Sequence, residues 1–325
     1  MTVTTNTPAK APLTLRGMGS LHVGGDLIAL DGLPLQQHTL AAGGTPVTLD
    51  PNGQYAIGQM YAQYFLAAQP CSDIPVLFWH GGGLTGACWE TTPDRREGWS
   101  SQFLRQGWDV YVCDAAERGR AGYAPVPQVW PAPISQTASV VFNRFRFGAA
   151  PSAAQIDELA QFAYPGQRFP IEAFATFVRQ LVPRWTHTDD VIANAYAALL
   201  SRVGPSAIVC HSQGGVFGLR AAITNPDRVK AIVALEPAAV PMDAIQVHGL
   251  QVPTLIVLGD HMNRDARWPL MRKAINAFAA QSPLVQILDL PAIGITGNSH
   301  MLMMDTNSEI VARHVLDWLA RKLIA

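Results

Sequence analysis

The sequence predicts an α/β protein built on a mostly parallel, doubly wound sheet, and three observations predict it. Six short, nearly continuous apolar runs rich in β-branched residues recur after residue 73, the kind of strand that is buried on both faces of a parallel sheet. Helical patterns separate most of them. Ahead of them, from Gly17 to about Ala67, apolar and polar residues alternate, as in Ser20-Leu21-His22-Val23 and Gly58-Gln59-Met60-Tyr61. That stretch reads as antiparallel strands joined by turns such as Asp50-Pro51-Asn52-Gly53.

The six runs cover residues 74–79, 109–114, 206–210, 230–237, 253–260 and 284–290. Helical spacing appears over 98–106, 214–224 and 268–281. The chain closes with a helix over 307–324, in which Ile310, Val311, Val315, Leu316, Leu319 and Leu323 share a face and Thr306 or Asn307 can cap the start. One segment breaks the alternation. Residues 123–185 are rich in Pro, Ala, Phe and Trp, with short helical stretches at 153–162 and 171–181. A structureless loop of that length does not suit a compact domain, so the segment reads as a cap inserted over the carboxyl edge of the sheet. Residues 1–122 and 186–325 are then the core. Trp130, Phe142, Phe145, Phe147 and Trp185 are candidates for an apolar substrate wall, with Trp89 and Met301 as further pocket residues. For any single one of them, packing the cap onto the core is an equally good reading.

A chain of 325 residues can bury the core of one large α/β domain. It is 49% hydrophobic and only 14% charged, yet no stretch approaches the roughly 18 consecutive apolar residues of a membrane helix. With a net charge of −1 and no block of Lys or Arg, there is no electrostatic footprint for nucleic acid or an anionic membrane. The opening residues 1–11 lack the charged start and apolar run of a secretory signal, which favours the cytoplasm. Cys71, Cys88, Cys113 and Cys210 show no C-x-x-C spacing. Cys113 and Cys210 end strand-like runs and read as buried thiols; Cys71 with Cys88 is the one pair with a case for a disulfide.

The third run ends in His211-Ser212-Gln213-Gly214-Gly215, a strand, a sharp turn and a helix with Ser212 at the apex. A strained turn of that kind lifts a serine oxygen clear of the sheet. The usual pattern is G-x-S-x-G; here Cys210 stands for the first glycine, and Gly214 keeps the place where the following helix packs closest. A serine before two glycines is alone an ordinary turn signal. Acyl transfer also needs a base, an acid that orients it, and N–H donors for the oxyanion.

On such a fold the chain order is serine, acid, histidine. Beyond the fourth run, His248 and His261 come too early and His314 lies within the last helix. His300, in the polar loop Gly297-Asn298-Ser299-His300-Met301, is the base candidate. Glu236 and Asp260 both close strands; Glu236, pinned in Leu235-Glu236-Pro237, is the preferred acid and Asp260 the alternative. His80-Gly81-Gly82-Gly83 follows the first buried parallel strand, so Gly82 and the N–H of Gln213 are the oxyanion donors, with His80 and His211 as buttresses. No G-x-x-x-x-G-K-[ST], H-E-x-x-H or G-x-G-x-x-G motif points to a metal or a cofactor.

The segments from Trp79-His80-Gly81-Gly82-Gly83 through Trp89-Glu90-Thr91-Thr92-Pro93-Asp94, with His211-Ser212-Gln213, Leu235-Glu236-Pro237 and Gly297-Asn298-Ser299-His300-Met301, resemble a small group of bacterial α/β-hydrolase carboxylesterases. In that group the acid is a glutamate after strand six. The resemblance runs from about Gly17 to the C-terminus and takes in Arg118-Gly119-Arg120 and Gly259-Asp260-His261. It implies an α/β-hydrolase fold, Ser212 as nucleophile, His300 as base, Glu236 as acid, and a small-molecule ester as substrate, with a homodimer left open. A lactone, thioester, amide or C–C bond, or a non-catalytic binding role, are the alternatives on the same fold. Those esterases carry adjacent cysteines at the oxyanion turn; this chain has Gly82-Gly83, which leaves the turn without a vicinal disulfide.

Overall fold

The structure, a computed structural model, describes residues 11–123 and 129–324. The expectation about a secretory signal at residues 1–11 therefore lies almost wholly outside the described residues. Ten strands and eight helices are named here: β1 (Leu15–Leu30), β2 (Gln36–His38), β3 (Val47–Leu49), β4 (Gly53–Ala67), β5 (Val76–Trp79), β6 (Val110–Asp114), β7 (Ser206–His211), β8 (Val229–Leu235), β9 (Thr254–Leu258) and β10 (Val285–Asp289). The helices are α1 (Trp99–Arg105), α2 (Ala138–Arg144), α3 (Phe174–Val178), α4 (Asp189–Val203), α5 (Gln213–Thr224), α6 (Met242–His248), α7 (Trp268–Ala279) and α8 (Ser308–Leu323).

Eight strands form one sheet in the order β1-β4-β6-β5-β7-β8-β9-β10, and β2 and β3 form a separate short hairpin. β1 and β4 pair antiparallel over almost their whole length, β4 pairs antiparallel with β6, and every pair from β6 to β10 is parallel. All six apolar runs are strands of this parallel part. Successive side chains of β5 alternate between the faces, as the two-residue period of a strand requires. Val76 and Phe78 join one apolar cluster, while Leu77 and Trp79 join the other, where Trp79 stacks on Tyr196 of α4 at 3.7 Å.

The chain leaves β5 for β6 on one side and later returns to β7 on the other. The crevice between β5 and β7 is therefore the topological switch point, where open α/β sheets bind ligands at the strands' carboxyl ends. Register sharpens this. Trp79 lies opposite Cys210, Cys210 opposite Ala234, and His211 opposite Leu235, so the residues that follow β5, β7 and β8 emerge side by side.

Three helices escape the sequence pattern: α2, α4 and α6. α4 carries Asp189 and Asp190 in its first turn and ends at Gly204, both recognisable signals for a helix that packs against β1 and β4. Asn307 precedes α8 but does not cap it, because its side chain is engaged with Asn298 instead. The segment between β6 and α4 contains α2, α3 and 3₁₀ turns. Its Phe142, Phe145, Phe147, Phe174 and Phe177 belong to the same apolar cluster as Phe78 and Val209, so its interior is continuous with the core. All four cysteines are free thiols, and Cys71 and Cys88 are not bridged. Among the described residues, no helix is long and apolar enough to cross a membrane.

Candidate active site

Ser212 sits between β7 and α5 with φ 52° and ψ −114°, a conformation that L-residues avoid. The surroundings enforce it. Its N–H donates to the carbonyl of Leu235 at 3.0 Å, and its own carbonyl accepts from Gly215 at 3.0 Å and Ala238 at 2.8 Å. The helix behind it must come close: a Cβ at Gly214 would stand 2.5 Å from the carbonyl oxygen of His80, and one at Gly215 would stand 2.7 Å from Pro237. Cys210 fits in place of the usual glycine because position 218 has no side chain; a Cβ at Gly218 would stand 2.8 Å from the Cys210 sulfur.

His300 Nδ1 donates to Glu236 Oε2 at 2.5 Å, which leaves Nε2 of the neutral ring as a lone-pair acceptor. The histidine is held from both sides. Its backbone N–H donates to the Phe145 carbonyl at 3.0 Å, and its carbonyl accepts from His211 Nε2 at 2.9 Å. Buried Asp305 organises the turn before it, accepting from the N–H of Ser299 at 2.9 Å, the Ser299 hydroxyl at 2.6 Å and the Asn298 amide at 2.9 Å. Burial pushes the Asp305 carboxyl up to about 7 against those three donors.

Glu236 is fully buried, with φ 43°. Its second oxygen accepts from the Gly259 N–H at 2.8 Å and from Arg146 Nη2 at 2.5 Å. Burial alone raises a carboxyl, but Arg146 and the bond from His300 outweigh it and hold Glu236 at about 2. For His300, burial lowers the imidazole and the Glu236 contact opposes it, with a net value below the ordinary 6.5. Asp260, the alternative acid, bonds elsewhere. Its carboxylate accepts from the N–H groups of His261 at 2.6 Å and Gly297 at 2.7 Å, and so anchors the loop rather than the ring.

His80 Nε2 accepts from the Ala115 N–H at 3.0 Å, so Nδ1 carries the proton and donates to the Gly81 carbonyl at 2.8 Å. Burial, then Arg118, lowers His80 to about 4, which keeps it a neutral strut between β5 and β6. A cavity of about 310 Å³ opens above these elements, lined by Ser212, His300, Gly82 and Gln213 together with Glu236 at its floor. No turn or loop carbonyl among the described residues accepts from the N–H of Gly82 or Gln213. Ser212 and His300 share the cavity without a mutual hydrogen bond at rest, a looseness that is common before substrate arrives. No cluster of His, Cys, Asp or Glu among the described residues could hold a metal ion.

Among the described residues, most of the expected apolar wall lies away from the cavity. Trp89 packs between Phe78 and Trp99, Phe142 against Phe147 and Phe174, and Trp130 against Trp185, whose indole N–H donates to the Pro131 carbonyl. Met301 is fully buried beneath the histidine loop. Large apolar side chains are drawn out of water: Trp89, Phe142 and Met301 joined the core, while Trp130 and Trp185 are buried against each other outside it. Among the described residues, Phe145 is the one aromatic candidate that lines the cavity, with its ring 5.2 Å from that of His300. The rest of the lining is mixed: Trp268, Met271 and Ala238 are apolar, while Arg144, Arg184, Arg267, Gln136 and Asp189 are charged or polar. Sequence reasoning missed Arg146, Asp305 and these arginines, which lie far apart in the chain and share no motif.

A family profile described as alpha/beta hydrolase fold matches residues 74–255. Among solved structures, a novel bacterial esterase is 32% identical, with a TM-score of 0.81 over 97% of this chain and 98% of that one. A probable secreted lipase, phiG, from Fungal sp. (strain ATCC 74256) is 28% identical over 321 residues, covering 83% of this chain and 88% of the lipase.

Proposed function

Because the chain belongs to the α/β-hydrolase fold family and is a carboxylesterase-type hydrolase, we propose that it cleaves carboxylic esters through an acyl-enzyme formed on Ser212. The observation that carries this reading is the 2.5 Å bond from His300 Nδ1 to Glu236, at the floor of the cavity that Ser212 faces. Ser212 Oγ attacks the ester carbonyl carbon while its proton passes to His300 Nε2. Glu236 orients the ring and stabilises the imidazolium. The N–H groups of Gly82 and Gln213, which no turn or loop carbonyl among the described residues accepts from, take the oxyanion of the tetrahedral intermediate. Collapse breaks the carbon–oxygen bond to the alcohol, which leaves with the proton from His300. Water, deprotonated by His300, then attacks the acyl-enzyme, and release of the acid restores Ser212.

Residues 123–185 act as the cap in this reading, since they deliver Arg144, Phe145 and Arg184 to the cavity. A cytoplasmic location completes the proposal, and cell fractionation tests it. For the chemistry, replacing Ser212 by Ala is expected to lower kcat on aryl esters by about 10⁶-fold and to abolish labelling by a fluorophosphonate. Turnover near the parent rate in Ser212→Ala, or no adduct on the parent serine, overturns the acyl-enzyme.

A further inference from the structure

The cavity above Ser212 has more cationic side chains than its own carboxylates neutralise. Three arginines line it, each from a different element: Arg144 at the end of α2, Arg184 before α4, and Arg267 before α7. Arg267 is paired with Asp265, and Glu236 with the buried Arg146. Arg144 and Arg184 have no carboxylate within salt-bridge reach among the described residues. The backbone of Arg184 pairs with Ile134, but among the described residues its guanidinium makes just a long 3.5 Å contact from Nη1 to the side-chain oxygen of Gln213, and its buried Nε has no hydrogen-bond partner. Arg118 Nε and Arg146 Nη1 also lack partners among the described residues, but of these three arginines it is Arg184 whose side chain lines the cavity, where a ligand can reach it.

Asp189 is the one remaining carboxylate on the lining. It accepts from the Gln213 amide at 3.3 Å and stands at the first residue of α4, where the helix N-terminus already compensates its charge. Arg144 feels the imbalance: burial first, then the proximity of Arg267 and Arg184, lowers its guanidinium from the ordinary value. Like charges gathered in a cleft are costly unless a counter-charge completes them. Arg184 also stands directly over the oxyanion turn, since a Cβ at Gly82 would collide with its Nη1.

Resting on the esterase reading, we infer that the preferred substrate is an ester carrying a free carboxylate, bound between Arg144 and Arg184 while its ester carbonyl faces Ser212. The guanidinium fork suits a planar carboxylate, and a cavity of about 310 Å³ admits a short substrate rather than a long acyl chain.

The test compares charged and neutral substrates of matched size on the purified full chain. On the acyl side these are mono-4-nitrophenyl glutarate and 4-nitrophenyl pentanoate; on the alcohol side, 4-acetoxybenzoate and its methyl ester. A carboxylate engaged by two charged donors is expected to raise kcat/KM about 10- to 100-fold over the neutral partner in one arm, and the arm that responds identifies the side carrying the charge. Arg144→Gln and Arg184→Gln are each expected to cut that selectivity ratio about tenfold, with partial recovery in the corresponding lysine variants. A ratio near one in both arms for the parent enzyme overturns the inference and leaves the esterase reading standing. No turnover of any ester, with no fluorophosphonate adduct, overturns both. A drop in Arg184→Gln that is equal for charged and neutral esters also overturns it, because it assigns Arg184 to the oxyanion instead of the carboxylate.

Discussion

Two arginines lie two residues apart at the end of α2, and they live in opposite electrostatic worlds. Arg146 is fully buried, donates to Glu236 at 2.5 Å and to the Asp260 carbonyl at 2.9 Å, and stacks its guanidinium 4.6 Å from the Trp268 ring. Arg144 is exposed to the cavity, and no carboxylate pairs with it among the described residues. The left-handed backbone of Arg146, φ 59°, turns the chain between them so that one side chain points under the site and the other into it. The difference teaches how to read a charge in an active site. A charge paired internally with a carboxylate, as Arg146 is with Glu236, belongs to the machinery's frame, and one that is left open belongs to whatever binds.

The largest expected effect tests the frame at its centre. Glu236→Gln keeps the shape but removes the charge that orients His300, and kcat is expected to fall about 10⁴-fold in steady-state assays. Asp260→Asn is the control. Its carboxylate serves two backbone N–H groups, so it is expected to cost stability of about 1.5–3 kcal/mol with kcat far above that of Glu236→Gln. If Asp260→Asn is the slower enzyme, Glu236 is not the acid.

Arg146→Met comes next. It leaves Glu236 buried with one cation fewer, and breaking a buried pair in this way is expected to cost about 3–5 kcal/mol in denaturant unfolding. A packing defect alone would not move the pH profile. Arg146 also helps lower the His300 imidazole, so its loss is expected to shift the acid limb of kcat/KM to higher pH.

The parent enzyme supplies the reference for that shift. In the proposed mechanism the active form needs a neutral His300, whose pKa lies below 6.5, while Glu236, at about 2, stays ionised throughout the working range. Activity is therefore expected to stay flat as pH falls toward 6.5 and to decline only below it, approaching tenfold per unit. An acid limb centred above 6.5 contradicts the burial of this histidine as the dominant influence.

How much of this was legible in the sequence follows from where each signal resides. The six strands of the parallel part are largely apolar runs, so local pattern located them, although β10, at the sheet edge, is only partly buried. Glu236 stood out because a carboxylate closing an apolar strand beside a proline has nowhere to go without a partner, and His300 because chain order left few alternatives. Arg146 and Asp305 carry no such mark. Arg146 alternates with phenylalanines beside Arg144, and Asp305 follows an apolar run, so each is indistinguishable from a solvated residue until the fold brings Glu236 to one and the turn at Asn298-Ser299 to the other. The cavity wall was misjudged for the complementary reason. Aromatic residues advertise themselves in a sequence, but their surface is worth most in the core, whereas Arg144, Arg184 and Arg267 meet only through three separate elements.

The smallest effect closes the comparison. Arg144→Gln removes a charge that satisfies no internal partner, so unfolding stability is expected to stay within about 0.5 kcal/mol of the parent, in contrast to Arg146→Met. The sign is itself informative. Burial, then Arg267 and Arg184, disfavour the Arg144 charge while Asp265 favours it, so removing the charge favours a small change toward greater stability, and raising the salt concentration shrinks the part due to the exposed charges as they are screened. A loss of several kcal/mol in Arg144→Gln would place this residue in the frame with Arg146, and the distinction between a satisfied and an open arginine would no longer separate scaffold from binding surface.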